Sequence, residues 1–219
     1  MPKLFLIGLL CACALGVVFA QSSELASGSF LVSSRDLNDP NFAQTVILLL
    51  RYDEDEGAMG LIVNRRGDVP LSRVFEDIKQ AKGRKDPAYL GGPVEPDNVL
   101  ALVKSSTKIA DAQRVFSGVY LIAEKELLEK TLADKEASVF HVYLGYAGWG
   151  PGQLEREVEL GAWHVLPPDA GSVFDADPDS VWTRLIRRTE LRIALLRPFF
   201  IHPNVIDDHF ARKDRRAIG

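Results

Sequence analysis

The nineteen residues from Gly145 to Trp163, GYAGWGPGQLEREVELGAW, hold five glycines, one proline and two tryptophans. Glycine reaches positive φ without steric cost and proline fixes φ, so Gly145–Gly152 predicts a tightly turned backbone. From Gln153 to Leu160 the apolar Leu154 and Val158 alternate with Glu155, Glu157 and Glu159, the pattern of a short amphipathic helix. A rigid turn feeding a helix start presents unpaired N–H groups and reads as a ligand cradle. The same residues also read as a corner that seats Trp149 and Trp163 in a core.

The N-terminus is the second strong signal. Met1-Pro2-Lys3 is a short basic start, and Leu4–Ala20 follows without a charge. Val18-Phe19-Ala20 and the polar Gln21-Ser22-Ser23-Glu24 complete the layout of a secretory signal peptide cleaved after Ala20. The expected organisation is a leader over 1–20, a linker over 21–27, a domain over 28–190 and a C-terminal extension over 191–219. An uncleaved leader would instead anchor the chain in a membrane, since its length is near the lower limit for a span. Both cysteines, Cys11 and Cys13, fall in the leader, so a cleaved product has no thiol for disulfides, metal or nucleophilic attack.

The remaining length suits one domain with a substantial core. The formal charge is −4, and removing the positive charge of Lys3 makes it −5. That sign argues against a protein holding nucleic acid by phosphate neutralisation, which needs a concentrated basic face. The basic runs Arg65-Arg66, Arg187-Arg188 and Arg212–Arg216 are dispersed among acids and read as solvated faces.

Along the chain, Ser27–Val32 and Thr45–Tyr52 read as strands separated by the Asp39-Pro40-Asn41 turn signal. TVILLLRY is continuously apolar at its start, so it predicts a central strand covered on both faces. The acidic turn Asp53–Gly57 returns as the strand Ala58–Asn64, antiparallel to its predecessor. Val69–Lys79 has helical apolar spacing. Further strands are predicted at Val99–Lys104, Val115–Ile122, Ser138–Leu144 and Trp163–Leu166, with helices at Glu124–Ala133 and Asp179–Arg188. This mixture without strict βαβ order predicts an α+β fold: a single domain with a mainly antiparallel sheet and flanking helices.

No nucleophile elbow, phosphate loop, dinucleotide fingerprint or paired-histidine zinc motif is present. His141 sits in an alternating strand and reads as a hydrogen-bonded structural histidine. His202 and His209, with Asp207 and Asp208 between them, match no common metal spacing, so no metal and no cofactor is expected. Asn64-Arg65 at a strand exit offers donors for an anion. Asn is equally suited there to bond its own backbone.

Four blocks together resemble the AlgH/YqgE family: Gly28–Ser34 with Asp39–Phe42 and Thr45–Leu50; Glu56–Arg65; Tyr89–Val94; and Gly145–Glu155. They cover about Gly28 to Arg188. The resemblance implies a single α+β domain with a barrel-like β centre, and it implies no reaction. Members usually lack a leader and look cytosolic, so the resemblance implies a cytoplasmic location as the alternative to export. This chain departs from many members in its leader, in Arg51-Tyr52 where they have a histidine before the acidic turn, and in Arg66 where they have proline. The reading that follows is a non-enzymatic binding or regulatory protein, exported here. Its partner is expected to be a small anionic ligand or a protein, bound at Asn64, Arg65, Gly91, Gly92, Pro93, Gly148, Trp149, Gly150, Gly152 and Gln153. The alternatives are an enzyme such as a hydrolase acting on a small anionic substrate through Glu or Asp with Arg65, and a purely structural domain.

Overall fold

The structure, a computed structural model, describes residues 24–133 and 139–196, with side chains to 193. The leader, His202, His209 and the extension past Leu196 lie outside the described residues. The apolar runs organise as ten strands in one sheet: β1 (Phe30–Ser33), β2 (Val46–Asp53), β3 (Gly57–Ile62), β4 (Arg66–Pro70), β5 (Pro87–Leu90), β6 (Val94–Lys104), β7 (Gln113–Phe116), β8 (Val119–Ile122), β9 (Phe140–Trp149) and β10 (Trp163–Leu166). Five helices accompany them: α1 (Leu71–Val74), α2 (Lys125–Ala133), α3 (Gln153–Glu159), α4 (Ala170–Val173) and α5 (Pro178–Leu196). The fold is α+β, and β5–β9 is the one parallel pair among the described strands.

β2 and β3 pair antiparallel across the acidic turn, and Val46–Leu50 and Leu61–Val63 are all buried. A continuous apolar run is what a strand covered on both faces requires. β1 and β2 supply alternate residues to two cores: Phe30, Val32, Leu48 and Leu50 face α5 residues Val181, Trp182, Leu185 and Ile186, whereas Leu31, Ile47 and Leu49 face Trp149, Leu154 and Trp163. A third core, under α2, gathers Leu71, Phe75, Ile78, Val103, Leu128 and Val142.

The strand order runs β10-β1-β2-β3-β9-β6-β8-β7, with β4 and β5 branching from β9. The sheet is therefore open, a correction to the expected barrel-like centre. β7 does curl back toward β2: Gln113 Nε2 donates to the Leu50 carbonyl at 3.4 Å, and a Cβ on Gly28 would sit 3.1 Å from the Val115 carbonyl oxygen. No backbone ladder closes the gap among the described residues. Both strands are irregular there, with register shifts between Leu49 and Arg51 and between Arg114 and Phe116.

Three local expectations need correction. The glycine block is not one tight turn: β9 continues through Gly145, Tyr146, Ala147, Gly148 and Trp149 with an irregularity at Gly145, whose φ is 68°, and the chain turns at Gly150–Gly152. The predicted helix over Val69–Lys79 is a strand end, the single turn α1 and a 3-10 turn at Lys79–Ala81. Its apolar spacing is satisfied because Leu71, Phe75 and Ile78 are nonetheless buried together. The strand expected over Val115–Ile122 is the hairpin β7–β8, broken at Gly118, whose φ of 75° is the left-handed conformation a turn needs. Helix α5 runs through position 191, where the extension is expected to begin, to Leu196.

Candidate functional site

Glycine in β9 serves close approach. A Cβ on Gly145 would lie 2.5 Å from the Gly92 carbonyl oxygen and 2.8 Å from that of Val94. Reciprocally, a Cβ on Gly91 would overlap the Gly145 carbonyl oxygen, and one on Gly92 would overlap the Tyr146 carbonyl. Gly91 is also stitched into the sheet, its N–H donating to Leu144 O at 2.8 Å and its carbonyl accepting from Ile62 N at 2.9 Å. The two glycine blocks thus meet backbone to backbone. Pro93 and Gly148 are exposed beside this contact.

Asn64 is buried and held on both ends of its amide: Oδ1 accepts from Val46 N at 2.7 Å, and Nδ2 donates to Gln44 O at 3.0 Å. Gln44 has φ of 57°, so the amide fixes a strained turn into β2. Arg65 donates to the carbonyls of Asn41 at 2.8 Å and Ala43 at 3.3 Å. Both residues therefore clamp the Asn41–Thr45 loop. From that loop Phe42 stacks on Trp149 at 6.3 Å and meets Trp163 edge-on at 5.8 Å. Glu157 Oε2 accepts both indole N–H groups, from Trp149 at 2.9 Å and Trp163 at 2.8 Å. Gln153 donates to Glu157 Oε1 at 2.9 Å and accepts from Gly150 N at 3.2 Å. Trp149 is thus a core plug with its polar handle satisfied, as a buried indole requires. Gly150, Gly152 and Gln153 form an exposed turn above it. Asn64, Arg65 and the turn share one loop, but the guanidinium already serves two carbonyls, and the helix that follows has only seven residues.

Chemistry gathers elsewhere, in a cleft of about 350 Å³ at the start of β9. Its position follows from one residue. The parallel ladder of β5 on β9 covers Tyr89↔Tyr143 and Leu90↔Leu144. Continuing it upstream would require the N–H of residue 87, which is Pro87 and has none. Before Pro87 the chain bends to α1 instead, where Leu71 N donates to Asp86 O at 2.8 Å and Ser72 N donates to Arg84 O at 3.3 Å. The edge of β9 at Phe140–Val142 is left beside the opening, next to Arg66, Arg84, Asp86 and Tyr89.

Arg66 donates one bond, to Ala176 O at 3.3 Å. Arg84 is tied through Nε to Asp86 at 2.8 Å and lies over the Phe140 ring at 4.8 Å, leaving its two terminal nitrogens without a protein acceptor among the described residues. Arg84 holds the Asp86 carboxyl below its usual range through that hydrogen bond. Two guanidiniums against one carboxylate give these groups an excess positive charge. His141 stacks on Tyr89 at 4.4 Å, with Nε2 3.5 Å from the Tyr89 hydroxyl, and Phe174 packs at 5.3 Å. Burial pushes the imidazole pKa down to about 4; the Val173 carbonyl opposes the shift and the Arg66 charge reinforces it. His141 is therefore neutral near pH 7. The hydroxyl of the adjacent Tyr143 is buried without a hydrogen-bond partner, and burial holds it well above its ordinary value. An orphaned polar atom in an aromatic cluster is unusual for a region that is only packing. Among the described residues no cluster of His, Cys, Asp or Glu has metal-binding geometry.

The sequence reading passes over this cleft because its residues come from four separated segments. The available signal is a proline opening the strand that precedes the first glycine block.

Residues 30–194 match the family profile described as AlgH-like (DUF179). The chain belongs to the AlgH-like family. A UPF0301 protein of Streptomyces avermitilis is 34% identical over 188 residues, covering 82% of this chain and 94% of the relative. A UPF0301 protein of an Anaeromyxobacter species is 39% identical over 181 residues, covering 77% and 90%. Among solved structures, the solution structure of the AlgH protein from Pseudomonas aeruginosa superposes with a TM-score of 0.64 at 30% identity, covering 78% and 92%. A crystal structure of protein DIP2367 from Corynebacterium diphtheriae gives a TM-score of 0.65 at 25% identity, covering 77% and 89%. These relatives share the domain, and their names attribute no substrate to them.

Proposed function

We propose that this AlgH-like protein is a non-enzymatic binding module for a small organic anion, held in the Arg66–Arg84 cleft. The observation that carries the reading is the pair of guanidiniums at one opening, with one compensating carboxylate and with terminal nitrogens on Arg84 that no described protein group uses. Charge-assisted bonds to arginine are the strong, geometrically specific way to hold a carboxylate or phosphate. The volume falls at the low end of the small-molecule range, roughly 300–1,000 Å³. His141 supports the reading as a flat neutral wall. The Gly150–Gln153 turn, expected to be the cradle, is better explained as the lid of the tryptophan core, because Arg65 is already committed to carbonyls.

The test is a titration of the full chain with 4-methylpentanoate and with inorganic phosphate, followed by thermal shift and NMR. Saturable stabilisation by either anion is expected, abolished in the Arg66→Ala/Arg84→Ala double variant and retained in Arg65→Ala. Absence of binding by both probes at millimolar concentration, or loss of binding in Arg65→Ala alone, sinks the proposal.

The leader is read as an export signal cleaved after Ala20, so the anion would be met outside the cytoplasm. N-terminal sequencing of the protein recovered from its native cell decides this, and a chain beginning at Met1 in the cytosol refutes it.

A further inference from the structure

Resting on the anion-site reading, the geometry points to the identity of the anion: we propose that the cleft receives the C-terminal residue of an extended peptide, its carboxylate on Arg66 and Arg84 and its last amide on the open edge of β9. The edge is identified by strand alternation. Val139 O accepts from Lys104 N at 2.9 Å, so the backbone groups of Val139, and by the two-residue period those of His141 and Tyr143, face β6. Leu144 O accepts from Gly91 N at 2.8 Å on the opposite side, which assigns Leu144, Val142 and Phe140 to the β5 side. Tyr89 N continues that side as far as Val142. The next donor along would be Pro87 N, which carries no hydrogen. The Phe140 C=O therefore faces the cleft with no β5 donor. One amide N–H of an extended ligand fits that carbonyl, in the strand-addition mode by which sheet edges bind peptides.

Three features then converge on one ligand class. The guanidiniums call for an anion, the Phe140 backbone calls for an amide beside it, and the exposed Val139 beside the Phe140 ring calls for an apolar side chain. A simple carboxylate or a phosphate satisfies only the first. A peptide with a free C-terminus and an apolar last residue satisfies all three. Arg84 stacked over Phe140 places the cation beside the residue whose backbone is open, so carboxylate and amide fall at adjacent positions of one residue.

The experiment measures affinity of the full chain by isothermal titration for N-acetyl-glycyl-leucine. Three controls accompany it: its C-terminal amide, the same peptide N-methylated on leucine, and 4-methylpentanoate, which keeps the carboxylate and apolar chain without the amide. The free acid is expected to bind at least about tenfold more tightly than each control, a difference of roughly 1.4 kcal/mol. Binding of the free acid should be lost in the Arg66→Ala/Arg84→Ala variant. Equal affinity for the peptide and for 4-methylpentanoate, or for the N-methylated peptide, overturns the peptide assignment and leaves the anion site standing. Phosphate binding more tightly than the peptide overturns it as well. Binding by none of the anions overturns the anion site itself. Altering the ligand keeps the comparison free of any folding defect in a variant.

Discussion

Glu157 shows how one exposed-looking acid can hold a core. Its carboxylate takes the indole N–H of both Trp149 and Trp163, so Glu157→Ala leaves two buried donors unsatisfied. The expected loss is about 2–4 kcal/mol in urea unfolding, with Glu157→Gln recovering part of it through its remaining carbonyl oxygen. A loss under about 0.5 kcal/mol would show that the tryptophans find other acceptors. Asn64 and Arg65 are adjacent in sequence and differ in cost. Asn64→Ala abandons a buried N–H and a carbonyl and should cost about 2–3 kcal/mol, whereas Arg65→Ala frees carbonyls that water can reach and should cost about 1 kcal/mol. His141 carries a pH signature. Its folded value near 4 lies below the ordinary 6.5, so between those values the unfolded chain binds the proton and the folded chain does not. Stability therefore falls as pH drops from 6.5 toward 4, by up to about 3 kcal/mol. His164, also lowered by burial, acts in the same direction. Unfolding midpoints across this window should lose most of their slope in His141→Gln, and an unchanged slope would contradict the buried neutral state.

At the scale of elements, what the sequence makes legible is whatever a local pattern dictates. The β2–β3 hairpin was readable because a two-sided apolar run, an acidic turn and a second run leave little choice. The helix after Gly152 and the strand Trp163–Leu166 were readable for the same reason. β9 was only half readable, since its glycines look like turn residues until Gly91-Gly92 is placed against them; the need for Gly145 is set by a partner more than fifty positions away. Gly92→Ala should accordingly prevent folding, its Cβ having no room beside the Tyr146 carbonyl, whereas Gly150→Ala, with open space around it, should leave stability within about 0.5 kcal/mol. Circular dichroism and soluble yield distinguish the two, and a folded Gly92→Ala protein would refute the close packing of β5–β6 on β9. The cleft was not legible for a related reason. Pro87 ends a ladder whose other strand begins at Phe140, and nothing local to either segment says that they meet.

For the whole molecule, the open sheet and the acidic net charge combine into one picture. Helix α5 covers the face of β1, and the α2 side closes over the third core. The branch of β4–β5 from β9 leaves the positive opening in an otherwise acidic chain. A local positive focus of this kind steers small anions and is too small for duplex DNA, so titration with DNA at physiological salt should give only weak, sequence-indifferent association. A specific complex in the nanomolar range would contradict that expectation. The central claim, that the anion sits at the start of β9 and not at the glycine-rich turn, is tested most directly by mapping backbone amide shifts during titration with 4-methylpentanoate. The account predicts saturable shifts centred on Arg66, Arg84, Tyr89 and Phe140–Val142, with the amides of Gly148, Gly150, Gly152 and Gln153 unmoved. Shifts centred on Arg65 and Gly150–Gln153, with Phe140–Val142 silent, would contradict it.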